Sequence, residues 1–373
     1  MARPKKEEST TIKGMTNLNA ILKEVRKDFG EDSVMTFDPA NVRAIPRVSS
    51  GILPVDIATG GGLPKGRIIE IYGPESAGKT TVALKAIAAA QEEAKAEAEA
   101  KGLNEVESFC AFIDAEHALD PIYAQNLGVD LNTCLVSQPS SGEQALDIVS
   151  KLISTGGFKL IVVDSVAALV PKAEIDGEMG EAHVGLHARL MSQAMRKLTS
   201  LVAKTETVII FINQIREKVG VVYGNPEVTT GGRALKFYSS IRIEVRREKT
   251  LTEGTESVAN RTKIKVVKNK TYPPFKTASF DIVFGKGPDE AGYIIEKSTD
   301  LGLITKGGSW YTFKGMRVQG EKKLKDYFET DEGRIEYEKL KEHVLKAYTG
   351  AKAGEIEEDT EIDPEEGIDP LAS

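Results

Sequence analysis

Four short runs of apolar or β-branched residues constrain the fold of this 373-residue chain more than any other feature. They are Phe109 to Ile113, Thr133 to Ser137, Leu160 to Val163 and Val208 to Ile212. A strand that lacks alternation between polar and apolar residues has both faces buried, as in a parallel sheet between layers of helices. We therefore expect an α/β fold, with a mostly parallel sheet and helices on both faces. Arg67 to Tyr72 is its first clear strand.

Five further segments predict how the rest of the chain is organised. Helical spacing of apolar residues predicts an amphipathic helix from Thr16 to Phe29, buried on the chain's own body or on a neighbouring subunit. A long helix rich in Ala, Glu and Lys is expected from Thr80 to Lys101, and another amphipathic helix from Asp331 to Tyr348. Ile241 to Arg246 and Thr262 to Val267 alternate between polar and apolar residues, so we expect them to extend the sheet as antiparallel edge strands.

A glycine-bearing segment between the first strand and the long helix has the pattern of a phosphate-binding P-loop. Its glycines let backbone N–H groups turn toward phosphates, and the N-terminus of the helix adds partial positive charge. Lys79 is expected to reach the β- and γ-phosphates of ATP, and the hydroxyl of Thr80 suits Mg²⁺. The residues expected to contact the nucleotide here are Gly73, Pro74, Glu75, Ser76, Ala77, Gly78, Lys79, Thr80 and Thr81.

Polar residues at the ends of three apolar runs supply candidates for the chemistry. Asp164 ends the third run, where a carboxylate can orient Mg²⁺ and its waters at the same sheet edge as the P-loop. Ser165 follows it, so the group that positions and deprotonates water must come from another strand. Glu116 is one candidate, although an N-cap or surface role fits its position equally well. The amides of Asn213 and Gln214 suit contact with the γ-phosphate or the capping of a turn.

Two glycine-punctuated loops, residues 174–185 and 215–233, follow strands of the predicted sheet. Long loops within a compact domain are usually functional or disordered. Both combine cationic and amide groups with small apolar residues such as Val184 and Val219. This composition favours contact with a nucleic-acid backbone, with apolar wedges between bases.

The acidic C-terminal end changes the interpretation of the net charge of −7. Residues 355–373 contain nine acidic residues and no Lys or Arg, which leaves 49 basic against 47 acidic residues elsewhere. This end is either a solubilising disordered tail or a tethered competitor for a basic DNA surface.

Cys110 and Cys134 lie in apolar segments, which predicts core packing in a reducing compartment. With no secretory signal pattern, we expect a cytoplasmic protein.

Several specific runs, in order along the chain, resemble the RecA family of bacterial recombinases. The runs that carry the resemblance are Gly73 to Thr80, Phe112 to Pro121, Val163 to Leu169, Met191 to Leu198, Phe211 to Arg216, Gly224 to Pro226, Thr230 to Gly232, Ala234 to Tyr238 and Lys265 to Lys270. The resemblance extends from about Thr16 to Tyr327. It implies a DNA-dependent ATPase that forms a filament on single-stranded DNA and catalyses homologous pairing and strand exchange. The alternative is an accessory DNA-binding protein that uses nucleotide only to assemble.

The resemblance also implies roles for individual residues. Glu116 would be the base that activates water, and Gln214 would couple the γ-phosphate to the second DNA loop. Lys268 and Lys270 would reach the ATP of a neighbouring subunit, against which Phe237 would pack. The expected adenine contacts are Asp120 and Tyr123. The expected DNA contacts are Val184, Arg189, Arg196, Arg216, Lys218, Val219, Gly231, Gly232 and Arg233.

The expected domains are an N-terminal polar segment with a protomer-docking helix (1–48), a RecA-like ATPase core (49–285), a small C-terminal α/β domain that binds duplex DNA (286–350) and a disordered acidic tail (351–373). Two departures from the family pattern stand out. A charged extension at residues 92–104 is longer than expected. Lys249 replaces a less charged residue, which puts in question the family's promotion of SOS repressor self-cleavage.

Overall fold

The structure is a computed structural model that describes residues 14–30, 33–34, 45–178, 181, 185–217 and 226–350. The chain divides into two compact units, Met1–Ile45 and Pro46–Ser373. The first unit contains helix α1 (Gly14–Phe29), which confirms the helix predicted there. The expected disordered tail lies outside the described residues.

The second unit contains the sheet and the remaining helices. Its strands are β1 (Arg47–Val48), β2 (Leu63–Pro64), β3 (Ile68–Gly73), β4 (Phe109–Asp114), β5 (Cys134–Ser137), β6 (Phe158–Asp164), β7 (Val208–Glu217), β8 (Glu227–Thr229), β9 (Ile241–Glu253), β10 (Glu256–Asn269), β11 (Thr277–Val283), β12 (Gly287–Pro288), β13 (Thr305–Gly307), β14 (Trp310–Phe313) and β15 (Met316–Gln319). Its helices are α2 (Leu53–Thr59), α3 (Lys79–Ala100), α4 (Pro121–Asn126), α5 (Gly142–Ser154), α6 (Lys172–Ile175), α7 (Leu186–Thr205), α8 (Ala234–Tyr238), α9 (Glu290–Asp300), α10 (Glu321–Phe328) and α11 (Asp331–Thr349).

The central sheet has the strand order β12-β11-β10-β9-β3-β7-β6-β4-β5, and β8 pairs with β7 off this path. The strands from β9 to β5 pair in parallel, and β10, β11 and β12 are antiparallel to their neighbours. The expectation of an antiparallel edge strand at Ile241 to Arg246 is wrong, because β9 pairs with β3 in parallel and β10 lies beyond it. The segment at Thr262 to Val267 is antiparallel but internal, since β11 covers it. Alternation between polar and apolar residues indicates that one face of a strand is less buried than the other. It carries no information on whether the strand runs parallel or antiparallel to its neighbour.

Both faces of the central strands are covered, as the apolar runs predict. The expectation is wrong for the run at Thr133 to Ser137, which forms the edge strand β5 with Leu135 46% and Val136 45% exposed. On β6, Leu160 and Val162 pack in the cluster that contains apolar residues of α3 such as Val82 and Ile87. The intervening Ile161 and Val163 pack in the cluster formed with α5 and α7. Successive side chains of a strand point to opposite faces, so an uninterrupted apolar run supplies both layers of the core. This confirms the expected α/β architecture.

The C-terminal part has its own three-stranded antiparallel sheet, with the order β13-β14-β15. Its apolar cluster contains buried residues of α9, α10 and α11, such as Ile294, Leu324 and Val344. Leu53 and Ile57 of α2 join the same cluster, so this helix packs against the C-terminal part. None of the described helices is both long and apolar enough to cross a membrane.

The two cysteines are buried and unbridged, which confirms the prediction that they pack in the core. They lie directly opposite each other in the parallel pair β4 and β5. Burial raises the pKa of the Cys110 thiol to about 12 and that of Cys134 to about 11, so both are neutral near pH 7.

Candidate active site

The carboxyl ends of β3, β7, β6 and β4 meet at one edge of the sheet. Gly73 at the end of β3 lies opposite Gln214 of β7, and Asp114 of β4 lies opposite Asp164 of β6. Ligands of open α/β sheets bind outside the carboxyl ends of the strands. The predicted phosphate-binding and water-positioning residues therefore converge at the expected place.

The P-loop leaves β3 through a position that only glycine fits. A Cβ atom on Gly73 would collide with the carbonyl oxygen of Val245 in the neighbouring strand β9. Ser76 and Gly78 then adopt positive φ angles of 56° and 97°, and α3 begins at Lys79. The tight strand-to-helix turn that the sequence predicts is thus present, with the helix N-terminus beside the loop.

Lys79 is 9% exposed, and its Nζ atom donates a 2.6 Å hydrogen bond to the carbonyl of Pro74. Burial lowers the pKa of Lys79, while the carboxylates of Asp164 and Glu116 act in the opposite direction. A phosphate at the loop would favour the charged ammonium in the same way as these carboxylates. This arrangement suits a lysine that binds phosphate.

Thr80 and Asp164 form the candidate metal site. The Thr80 hydroxyl donates a 2.8 Å hydrogen bond to Oδ2 of Asp164, and burial raises the pKa of that carboxyl to about 6. Within the described part of the chain, no group of three or more His, Cys, Asp or Glu side chains is arranged to hold a metal ion. The two oxygen ligands nevertheless fit Mg²⁺, which usually binds one or two carboxylates together with substrate phosphates and waters.

Glu116 lies among polar groups from two other strand ends. Its Oε1 atom accepts a 2.8 Å hydrogen bond from the side-chain amide of Gln214 and another from the hydroxyl of Ser165. Asp120, rather than Glu116, caps the next helix, because its carboxylate accepts from the backbone N–H groups at the start of α4. The N-cap interpretation of Glu116 is therefore wrong. Its exposed carboxylate has the neighbours expected of a group that orients water.

A cavity of about 310 Å³ adjoins the P-loop. Tyr123 lines it, and its hydroxyl lies 2.9 Å from the hydroxyl of Thr81. Asp120 is near in sequence, but its carboxylate is engaged in capping α4. Sequence reasoning missed four lining residues from β10, β11 and the turn after it, namely Asn260, Thr262, Ile282 and Phe284. Their positions carry no recognisable motif, because these strands reach the P-loop only through sheet pairing.

The structure also places most of the expected DNA contacts. Arg189 and Arg196 are exposed on α7, seven residues apart and therefore on one face of the helix. Arg216 is exposed near the end of β7, and its Nη2 atom donates a 3.0 Å hydrogen bond to Oε1 of Gln214. Val184, Lys218 and Val219 lie outside the described residues.

The second loop ends in a pair of glycines with φ angles of 79° and 75°, Gly231 and Gly232, followed by an exposed Arg233. A Cβ on Gly232 would lie 2.8 Å from the Cβ of Ala188, at the start of α7. The helix that carries Arg189 therefore lies against the end of this loop.

Lys268 and Lys270 lie on and just after β10, away from the P-loop strand. Their ammonium groups donate to the carbonyl of Phe237, at 2.9 Å and 3.4 Å respectively. The ring of Phe237 is 66% exposed. Burial lowers the pKa of Lys268 to about 8, and the nearby positive charges of Lys270 and Arg242 act in the same direction. These lysines and the aromatic ring form one surface of the protomer.

Comparison with known proteins identifies relatives over most of the chain. The RecA N-terminal domain matches residues 16–289. The chain is 54% identical over 313 residues to Protein RecA of Heliobacterium modesticaldum, covering 83% of this chain and 87% of that protein. It is 52% identical over 314 residues to Protein RecA of Clostridioides difficile, covering 84% and 86%. Protein RecA of Listeria monocytogenes is 54% identical over 312 residues, covering 83% and 86%.

Proposed function

The chain belongs to the RecA family, and on that premise we propose that it is a DNA-dependent ATPase that forms a filament on single-stranded DNA and exchanges strands between homologous DNA molecules. It acts in recombination and DNA repair, in the cytoplasm. The observation that carries the proposal is the hydrogen bond between Glu116 and Gln214, because it joins a water-positioning carboxylate to the strand that leads into the second loop. The accessory protein without turnover is not favoured, since it has no need of such a carboxylate.

ATP is held at the P-loop, with Lys79 on its β- and γ-phosphates and Tyr123 beside the base. Thr80 would hold magnesium through its hydroxyl, and Asp164 would hold it through water. The ion would supply charge neutralisation of the phosphate oxygens. The P-loop backbone, Lys79 and the N-terminus of α3 position the γ-phosphate for attack.

Glu116 orients the attacking water and accepts its proton. Gln214 and Ser165 hold the carboxylate in place through the two hydrogen bonds that converge on Oε1. Gln214 in turn accepts from Arg216, which lies where β7 leads into the second loop. DNA bound at that loop therefore acts on the same amide that positions the base.

The surface formed by Lys268, Lys270 and Phe237 contacts the next protomer. The exposed aromatic ring beside two lysines supports this assignment, because it offers apolar area together with charges that suit the phosphates of a neighbour's ATP. Helix α1 docks on the adjacent protomer, as the resemblance predicts. Each nucleotide is thereby enclosed between two subunits.

Single-stranded DNA binds along the two loops and the adjoining helix α7, through Arg216 and Arg233 of the second loop and Arg189 and Arg196 of the helix. Gly231 and Gly232 allow close approach of the DNA backbone, and Lys218, Val184 and Val219 complete the contacts proposed from the sequence. Duplex DNA binds the C-terminal part. There, Trp310 is 39% exposed and the guanidinium of Arg317 lies 4.8 Å from its ring, which supports contact with a polyanion through cationic and stacking groups.

An SOS repressor is a further partner to test, because the family resemblance includes its self-cleavage. Lys249 is exposed on β9. Incubation of the purified filament with the repressor, followed by electrophoresis, measures whether Lys249→Ala changes the cleavage rate.

The proposal is tested by measuring ATP hydrolysis with and without single-stranded DNA, and then strand exchange with a homologous duplex. We expect DNA to stimulate hydrolysis and exchange to require ATP. A Lys79→Ala variant is the matched control, since it loses nucleotide binding and with it both activities. Hydrolysis that is indifferent to DNA, or the absence of strand exchange, would overturn the proposal.

A further inference from the structure

A buried asparagine lies one residue before Gln214, beneath the candidate active site. Asn213 is 0% exposed. Its Nδ2 atom donates to Oε1 of Glu70 at 2.9 Å and to the carbonyl of Thr230 at 3.1 Å. Its Oδ1 atom accepts from the backbone N–H of Gln214 at 2.9 Å and from the hydroxyl of Thr230. Both donors and both lone pairs of the amide are therefore used.

A buried carboxylate holds this amide in one orientation. Glu70 lies in the middle of β3, is 0% exposed, and accepts on its second oxygen from Nε of Arg242. The guanidinium of Arg242 also lies 4.6 Å from the centre of the Tyr72 ring. Because a carboxylate only accepts hydrogen bonds, Asn213 must present its NH₂ group to Glu70. Its oxygen consequently faces Gln214 and Thr230.

Gln214 and Thr230 flank the paired stem of the second loop along the chain. Strand β8 pairs with the end of β7, with Thr229 opposite Ile215, so Thr230 is the first residue after the paired stem. Asn213 thus bonds one end of the loop through Thr230 and the other through the backbone of Gln214. The side chain of Gln214 continues the path to Glu116.

Resting on the proposed function, we propose that Asn213 is a positioning residue that transmits the state of the second loop to the water-orienting carboxylate. DNA bound to the loop shifts Thr230, and the two bonds between Thr230 and Asn213 pass this shift to the backbone of Gln214. The side-chain amide of Gln214 then holds Glu116 in the hydrolytic geometry. Glu70 stays in place during this movement because Arg242 pairs with it, and a buried ion pair is costly to separate.

The Thr230→Val variant tests this relay, because valine keeps the side-chain shape and lacks the hydroxyl that donates to Asn213. We expect ATP turnover without DNA to stay within about twofold of wild type. Turnover at saturating single-stranded DNA is expected to fall about tenfold, the equivalent of one hydrogen bond, with the DNA concentration for half-maximal stimulation changed less than about threefold. Thr230→Ser restores the hydroxyl and is expected to recover DNA stimulation.

Thr299→Val is the matched control. It removes a partly buried threonine hydroxyl that donates to the carbonyl of Ile295 at 2.7 Å, in helix α9 of the C-terminal part. It is expected to leave both DNA-free and DNA-stimulated turnover unchanged, which separates the relay from a general loss of packing.

Three results would overturn the inference. Full stimulation of Thr230→Val at saturating DNA shows that the hydroxyl carries no signal. Weakened DNA affinity with unchanged saturated turnover places Thr230 in the DNA interface instead. If Thr230→Val loses ATP turnover without DNA by the same factor as with DNA, Thr230 has only a structural role. If DNA does not stimulate ATP turnover by the wild-type protein, the proposed function itself is wrong, and this is measured before any variant is compared.

Discussion

The carboxylate of Glu116 accepts a 2.8 Å hydrogen bond from the side-chain amide of Gln214, although the two residues lie 98 positions apart in the chain. Glu116 lies two residues beyond β4, Gln214 lies near the end of β7, and β6 lies between these strands in the sheet. Ser165, just beyond β6, donates to the same carboxylate oxygen. Three successive strand ends of the sheet thus meet at one oxygen, so the orientation of Glu116 depends on the intact sheet and on the stem of the second loop.

We expect Glu116→Gln to abolish most ATP turnover while nucleotide and DNA binding remain. Glutamine keeps the size of the side chain and an oxygen that accepts from Gln214, but it is not a base. Loss of a general base reduces rates by roughly 10²- to 10⁴-fold. Steady-state hydrolysis with DNA, together with nucleotide and DNA titrations, checks this. Glu99→Gln on the exposed face of α3 is the control, and normal hydrolysis by the Glu116 variant contradicts the role of base.

Gly73→Ala is expected to damage the P-loop through a steric contact. The added Cβ meets the carbonyl oxygen of Val245, so β9 or the loop must shift. Overpacking of this kind typically costs about 1–3 kcal/mol. Urea unfolding should show this loss of stability, and nucleotide titration should show affinity reduced at least about tenfold. Gly307→Ala is the control, since no atom lies within 4 Å of its Cβ position. Unchanged nucleotide affinity in the Gly73→Ala variant would contradict the prediction.

The lowered pKa of Lys268 predicts that ATP-dependent assembly weakens as the pH rises through about 8. Burial, assisted by Lys270 and Arg242, favours the neutral amine in the folded protomer. The proposed contact with a neighbour's phosphate requires the charged form, so protons must be taken up on assembly above this pH. Light scattering of filaments between pH 7 and 9.5 measures the effect. Lys268→Arg stays charged and should show a flatter profile, and identical profiles for the two proteins would disprove the assignment.

The same group has the opposite effect on folding. Between pH 8 and 10.5 the folded protomer holds Lys268 neutral, while the unfolded chain still binds the proton. Because the unfolded state then binds more protons, this lysine's contribution to the free energy of unfolding increases with pH in that window. The free energy of unfolding of wild type, measured relative to that of Lys268→Met, should therefore increase between pH 7.5 and 10. A difference between the two proteins that does not change with pH would contradict this.

Removal of residues 355–373 is expected to strengthen duplex DNA binding at low salt and low Mg²⁺. The deleted segment carries nine acidic residues, and their effect on a basic surface is screened as salt rises. Fluorescence titrations of duplex at two salt concentrations measure this, with a several-fold gain expected only at the lower one. Unchanged affinity would show that the segment is merely a solubilising end.

The sequence alone determined the parts of this protein whose signal is local. The P-loop and the long helix that follows it depend on residues within one strand–turn–helix unit, and Asp164 is marked by the apolar run that it ends. The apolar runs of β4, β6 and β7 correctly predicted strands buried on both faces. The run that forms β5 did not, because this strand lies at the edge of the sheet with Leu135 and Val136 exposed. The direction of β9 was predicted wrongly, since alternation reports only how deeply each face is buried.

Only the tertiary structure decided which strand ends and side chains meet. The convergence of Glu116, Gln214 and Ser165 follows from the strand order β7-β6-β4, and Phe284 reaches the P-loop cavity because β10 and β11 extend the sheet beside it. Asn213 bonds Glu70, which precedes it by 143 positions. Such contacts depend on strand order and register, which are set by packing over the whole sheet. No pattern within a short stretch of the chain encodes them.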